Sequence, residues 1–237
     1  MTLEHGHRPD EIAARLDAQT DSGRLRDAIF GGIDGTVTTF AIVAGVQGAG
    51  LPAGVVVALG LANVLADGFS MAAGNYAGTK AVADDRRRLW QVEERHIRED
   101  PKGEREELKQ ILARKGLRGR VLTEAAEMIS SDNNQWIALM MAEEYGLPSV
   151  EARPAQAAAV IFVAFVVAGM LPLIPYLVGM TPAFVWSTGM AGLTFLAIGA
   201  IKSRWSLAPW WRSALETLLI GGAAAALAFA VGHMFHP

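Results

Sequence analysis

The stretch VVVALGLANVLADGFSMAAGNY at 55–76 runs into AGTKAVADDRRRLWQVEERHIRED at 77–100, and the join between them decides the fold. A helix that crosses a bilayer needs about 20 mostly apolar residues, and the first piece supplies them. The second piece is dense in charge and contains no proline. One helix is therefore expected to cross a membrane and continue beyond it as a charged helix. Four more apolar blocks of similar length lie at 28–49, 157–179, 183–201 and 214–235. No stretch alternates as a strand does. The expected fold class is an all-α membrane protein with five transmembrane helices and a cytosolic helical insert between spans two and three.

Composition narrows the function. The 237 residues carry 21 basic and 24 acidic side chains, a net charge of −3, so there is no polybasic signature and no nucleic acid partner is expected. The absence of cysteine excludes disulfide scaffolds, thiolate zinc sites and cysteine-ligated iron–sulfur clusters. The first 27 residues mix acids and arginines and do not read as a cleavable signal.

All the Lys and Arg residues fall on alternate connections. Four precede span one, fourteen lie between 80 and 153, and Lys202, Arg204 and Arg212 separate spans four and five. The positive-inside rule then gives a cytoplasmic N-terminus and insert with the C-terminus outside, and the plasma (inner) membrane is the expected host. Trp186, Trp205, Trp210 and Trp211 fall near span ends, where interfacial anchors belong. The expected division is 1–27 as a cytosolic segment, partly amphipathic helix over 9–25, with disorder before Pro9; 28–79 as spans one and two; 80–154 as a cytosolic helical metal-binding domain; and 155–237 as spans three to five. Within the insert, helices are expected to 100, from Pro101 to about 115, over 120–129 and over 133–145. Gly169, Pro172 and Pro175 predict a kink in span three.

Acidic groups inside spans point to chemistry. A carboxylate at bilayer depth costs about 2.5–3.5 kcal/mol on insertion scales and mostly faces a bundle interior or a water path. Asp34 lies in span one and Asp67 in span two. Asn63, Asp67 and Met71 recur every four residues, so an amide, a carboxylate and a thioether share one helix face, a set suited to a first-row divalent ion. Read alone, Met71 also fits plain core packing and Asn63 an interhelical hydrogen bond. In the insert, Glu93 and His96, then Glu104 and Glu107, then Met140, Met141 and Glu144 form three groups at helical spacing. The corner at Asp100-Pro101 can bring the first two together. Carboxylates with one imidazole suit Fe(II), Mn(II) or Zn(II). Each group also has an ordinary reading, as a solvated charge beside Arg105 or Lys109, a surface histidine or a core methionine stripe. Weaker candidates are the Glu4-His5-Gly6-His7 terminus, Glu216 inside span five, and His233 with His236.

FGGIDGTVTTF at 30–40, GLANVLADGFSMAAGNY at 60–76 and GMLPLIPY at 169–176, together with the insert, resemble the vacuolar iron transporter family over most of the chain from Arg24 onward. The resemblance implies five spans, a homodimer, a cytosolic metal-binding domain and proton-coupled export of Fe(II) from the cytosol. Asp34 and Met71 match transport-path positions of the family. Glu93, Glu104, Glu107, Met140, Met141 and Glu144 match its metal ligands. Two positions depart from it: Asn63 and His96 each stand where the family usually carries Glu.

The reading is therefore a proton-coupled antiporter of Fe(II) or Mn(II). It is not an enzyme and has no prosthetic group; its partners are divalent ions, protons and the lipid bilayer. Two alternatives belong to other classes. Glu93-x-x-His96 is half of a di-iron motif, with Glu4-x-x-His7 the only second copy, which would suit an iron-oxidising membrane protein. A metal sensor would use the insert to recruit partners.

Overall fold

The computed structural model describes residues 6–17, 22–147 and 152–236, and no strand occurs among them. Ten α-helices follow in order: α1 (Pro9–Asp17), α2 (Ser22–Gly48), α3 (Ala53–Glu99), α4 (Pro101–Arg114), α5 (Gly119–Ser130), α6 (Asn133–Glu143), α7 (Pro154–Met170), α8 (Ile174–Leu177), α9 (Ala183–Lys202) and α10 (Trp210–Met234). Among the described residues, five stretches are long and apolar enough to cross a membrane: Gly23–Gly48, Ala53–Glu99, Pro154–Leu177, Ala183–Trp205 and Trp210–Met234. The 47 residues of α3 form one uninterrupted helix, so the join at 76–77 is helical throughout. The Lys80–Asp84 and Arg88–Asp85 ion pairs lie along its charged half.

The chain divides into two compact units. One holds α1 and Gly78–Arg153; the other holds the chain to Ala77 from residue 20, and Pro154 onward. In the membrane unit α2 is the hub, with α7 and α10 along its length and α9 beside it. Lipid tails are as apolar as any side chain, so close packing rather than the hydrophobic effect joins such helices. Glycine supplies the closeness. At Gly35 the Phe165 backbone of α7 occupies the space a Cβ would need, and at Gly232 of α10 the Gly45 carbonyl does the same. Outer faces remain apolar and exposed at Leu65, Phe69, Leu193, Leu219 and Leu227, as contact with lipid requires.

Where a kink is predicted in span three, the helix tightens to 3-10 for one turn and then resumes, so Pro154–Leu177 remains one span. α7 ends at Met170, Leu171–Leu173 is a 3-10 turn, and α8 resumes at Ile174. Pro172 and Pro175 lack the N–H groups that would continue the ladder. The stranded carbonyls find other partners: Leu171 accepts from the Ile174 N–H, and Pro172 accepts from the buried Ser187 hydroxyl at 2.7 Å. Helix starts differ from expectation elsewhere. The expected amphipathic helix over 9–25 is α1 only to Asp17, residues 22–25 already belong to α2, and 18–21 lie outside the described residues. Span five begins at Trp210, four residues early; Pro209 before it is extended, and its carbonyl accepts from the Arg212 N–H at 2.9 Å.

The insert has its own core. Ile97, Leu108, Leu112, Ala126, Trp136, Ile137, Met140 and Met141 pack together. Its corners follow from capping. Asp100 accepts from the Gly103 N–H at 3.0 Å with Pro101 opening α4, Gly116 turns the chain at φ +100°, and Asp132 accepts from Asn134 and Gln135.

Gly35→Ala should lower the melting temperature of the full-length protein in detergent, by an overpacking cost of about 1–3 kcal/mol. Gly222→Ala on α10, where a Cβ meets nothing, should leave it unchanged or raise it slightly. Equal effects in thermal melts would mean that the α2–α7 approach does not limit stability.

Candidate functional site

Two groups of polar side chains stand out, one in each unit. In the membrane unit, Gly60, Val64 and Gly68 form the buried stripe of α3. Asn63, Asp67 and Met71 flank that stripe and are half-buried, while Ala62, Ala66 and Ser70 are exposed. Asp34 and Thr38 hold the corresponding half-buried position on α2. Thr38 links the two helices: its hydroxyl donates to the Asp34 carbonyl at 2.9 Å and accepts from the Asn63 amide at 3.3 Å. Asp34 and Asp67 lie close enough for their charges to act on each other. Asn63 is thus an interhelical hydrogen-bond donor. Thr38 carries no signal in sequence, because a threonine in a membrane helix ordinarily bonds its own backbone.

In the insert, α3 and α4 meet at the Asp100-Pro101 corner, and the Glu93–His96 and Glu104–Glu107 pairs come together there. Glu93 is 1% exposed. Its Oε1 accepts from the Tyr145 hydroxyl at 2.7 Å, while Oε2 is buried without a partner. Glu104 Oε2 is likewise buried without a partner. His96 Nδ1 lies 3.4 Å from Glu104 Oε1 and 3.9 Å from Glu93 Oε1. Glu107 and Glu144 are exposed, at the edge of this group. Met140 and Met141 are buried in the core beside Trp136 and Leu108. Tyr145 has no spacing signal in sequence; only the end of α6 brings it to Glu93.

The local field follows from this crowding of acids. Burial, then the neighbouring Glu93 and Glu107 charges, push the Glu104 carboxyl up to about 7. Partial desolvation of its carboxyl at the edge of the group, then the Glu107 and Glu93 charges, raise Glu144 as well. Burial and the bond to Glu93 raise the Tyr145 hydroxyl above its usual range. Arg105, a candidate counter-charge in sequence, is engaged elsewhere: it donates to Ser130 at 3.3 Å and lies over the Trp136 ring. A buried carboxylate without a cation is costly, and a divalent ion is the natural remedy. The donors fit a hard or borderline ion, being carboxylate oxygens and one imidazole. Among the described residues, no three His, Asp or Glu side chains are already drawn together as a closed ligand set. A bound ion would have to draw these ligands inward. The second half of the di-iron motif includes Glu4, which with His5 lies outside the described residues.

Glu104 makes the metal-free insert sensitive to pH. Its carboxyl is raised from 4.5 in the open chain to about 7 when folded, so folding favours the protonated form. Stability from this group is complete below about pH 4.5 and is lost as pH rises through about 7. Melts of metal-free full-length protein should therefore show falling stability across that window, and Glu104→Gln should flatten the profile. A profile identical in the two proteins would remove Glu104 as the cause.

Comparison with known proteins gives the family. The profile of the VIT family matches residues 25–233. Vacuolar iron transporter 1 of Oryza sativa subsp. japonica is 32% identical over 228 residues, covering 95% of this chain and 88% of that protein. Vacuolar iron transporter 2 of the same organism is 35% identical over 208 residues, 86% of this chain and 85% of that protein. Vacuolar iron transporter of Toxoplasma gondii is 30% identical over 227 residues, 91% and 75% respectively.

These names correct one expectation, the plasma (inner) membrane with a cytoplasmic N-terminus and insert and the C-terminus outside. The relatives are named for the vacuole. The physical reason is that charge bias between loops carries no information on which membrane a protein inhabits. Five apolar helices count crossings without assigning sides. By the match over residues 25–233 and by these identities, the chain belongs to the VIT family.

Proposed function

We propose that this member of the VIT family, a metal transporter by its relatives and not an enzyme, carries Fe(II) out of the cytosol in exchange for protons, with Mn(II) as a second substrate. The observation that carries the reading is the pair Glu93 and Glu104, each with a buried oxygen that has no partner, beside the imidazole of His96. These groups would gather the ion together with Glu107 and Glu144 at the edge. Met140 and Met141 would offer soft sulfur from the core side, the role the family resemblance gives them. Zn(II) suits the same donors and is a competitor. The membrane path would run along Asp34, Asn63, Asp67 and Met71.

Proton exchange follows from the same carboxylates. A group that titrates near neutrality releases its proton when a cation arrives and takes one back when the cation leaves, and Glu104 is such a group. The relatives' names support an organellar compartment as the destination. A homodimer fits the apolar half of α3, whose Leu59, Leu65 and Phe69 are exposed and available to a second copy.

Purified full-length protein in liposomes, loaded with a pH dye and given Fe(II), tests the reading. Metal uptake should raise the internal pH. Uptake with no pH change would rule out proton exchange. Asp34→Ala should abolish uptake while metal binding by the insert persists, and full activity in that variant would remove Asp34 from the path. Asp67→Asn should impair uptake more than Asn63→Ala, since it removes a charge and not only the bond to Thr38. The reverse order would overturn the assignment of Asp67.

Glu104→Ala with Glu107→Ala should raise the half-saturating metal concentration while leaving the saturated rate nearly intact. The shift should be about tenfold or more, the scale of losing a charged interaction of about 1.5–3 kcal/mol. Calorimetric titration of the same variant with Fe(II) and Mn(II) separates binding by the insert from passage through the membrane.

A further inference from the structure

The membrane unit carries a second feature, a groove on its outer surface formed by α2, α7 and α9. Its volume is about 870 Å³, and Ala28, Val163, Val167, Leu193 and Ile198 are among its walls. None of the proposed transport-path residues lines it. The contacts of Gly31 with Ile161 and of Gly32 with Ile198 fix the run of the helices. They put Ala28, Gln156 and Ile198 at one end of the groove. The lining is apolar except for Thr194, whose hydroxyl bonds the Met190 carbonyl, and Gln156, whose buried Oε1 has no partner.

Charge collects at that same end. Lys202 follows Ile198 by four residues on the same stripe of α9, and Arg204 and Arg212 come next. The acid paired with them is Glu216, 3.3 Å from Lys202, while Arg212 lies over the Trp211 ring at 5.2 Å. Trp205, Leu207, Trp210 and Trp211 stand exposed along the same connection. Tryptophan beside Lys and Arg at the end of a span is the composition of a membrane interface. A groove that is apolar along its length, with an unpartnered amide and excess cations at one end, matches a ligand built the same way.

We propose that this groove binds an anionic phospholipid. One acyl chain lies between α7 and α9, the amide of Gln156 bonds the ester region, and Lys202 and Arg204 hold the phosphate of the headgroup. Basic residues at span ends attract anionic lipid, and each methylene buried adds to the affinity.

The test is native mass spectrometry of the delipidated full-length protein, titrated with phosphatidylglycerol or phosphatidylcholine of identical acyl chains. Phosphatidylglycerol should bind about tenfold more tightly or better, the scale of two cations near a phosphate. Ala197→Phe, which fills the groove from its exposed wall, should weaken both lipids about tenfold, as expected for losing a few buried methylenes. Lys202→Ala with Arg204→Ala should weaken phosphatidylglycerol more than phosphatidylcholine and erase the preference. If Ala197→Phe melts early, Val163→Trp on the opposite wall serves in its place with the same expectation. Equal binding of the two lipids by the unaltered protein overturns the proposal, as does groove filling without effect. Loss of dimer mass rather than lipid mass on filling the groove assigns it to a second copy instead.

Discussion

The membrane unit depends on the close approach of other backbones to α2. Gly31 and Gly35 lie against carbonyls of α7, Gly48 against a carbonyl of α10, and Gly45 is met by Gly232 of α10. A side chain at these points would push the helices apart, and there is no water-driven force in lipid to draw them back. The crowding also orients the polar groups. With one side of α2 committed to α7 and α10, Asp34 and Thr38 occupy a half-buried stripe, where Thr38 reaches Asn63 on α3. A carboxylate there is half-buried and beside polar groups rather than facing lipid, the usual position of a charge at such depth.

The insert obeys a different constraint, that of unbalanced acid. Along its surface the charges are paired: Lys80 with Asp84, Arg88 with Asp85, Lys115 with Glu143, Arg120 with Glu124. Exposed pairs of this kind contribute little to stability. At Glu93 and Glu104 the pattern changes. Both carboxylates are buried, each has an unpartnered oxygen, and Arg105, one residue along α4 from Glu104, turns toward Ser130 and Trp136. Packing built for stability alone would put that guanidinium on the acids. Leaving the acids without it is what the proposed binding of a cation there would require.

Much of this was legible in the sequence. Span number and the long helix through 76–77 follow from composition and length, and the irregular turn in span three follows from two prolines that cannot donate. The stripe Asn63–Asp67–Met71 and the convergence at Asp100-Pro101 follow from helical period and a capping residue. Other features were not legible, because they depend on tertiary contact. Tyr145 reaches Glu93 across 52 positions, Thr38 reaches Asn63 across 25, and no local pattern marks either. The start of α2 at Ser22 rather than near Ala28 shows a limit of hydropathy: a helix can begin in polar sequence before its apolar part does. The host membrane was misread because loop charge reports on insertion and not on destination.

The departure at Asn63 bears on how an ion would move along α3. Four residues of helix are about 6 Å of rise, so an acid at 67 rather than 63 shifts the charge one turn toward Met71. Asn63 is meanwhile tied to Thr38, whose hydroxyl is tied to the Asp34 carbonyl. The amide thereby links α3 to α2, and in the proposed path Asp67 rather than residue 63 would carry the charge of α3. Asp34 and Asp67 repel one another when both are charged, a cost that a divalent cation between them would offset and that a proton on either one would remove. Metal and proton thus relieve the same repulsion and exclude each other. An exchange mechanism in the membrane needs that property, and a pair of carboxylates on neighbouring helices would supply it.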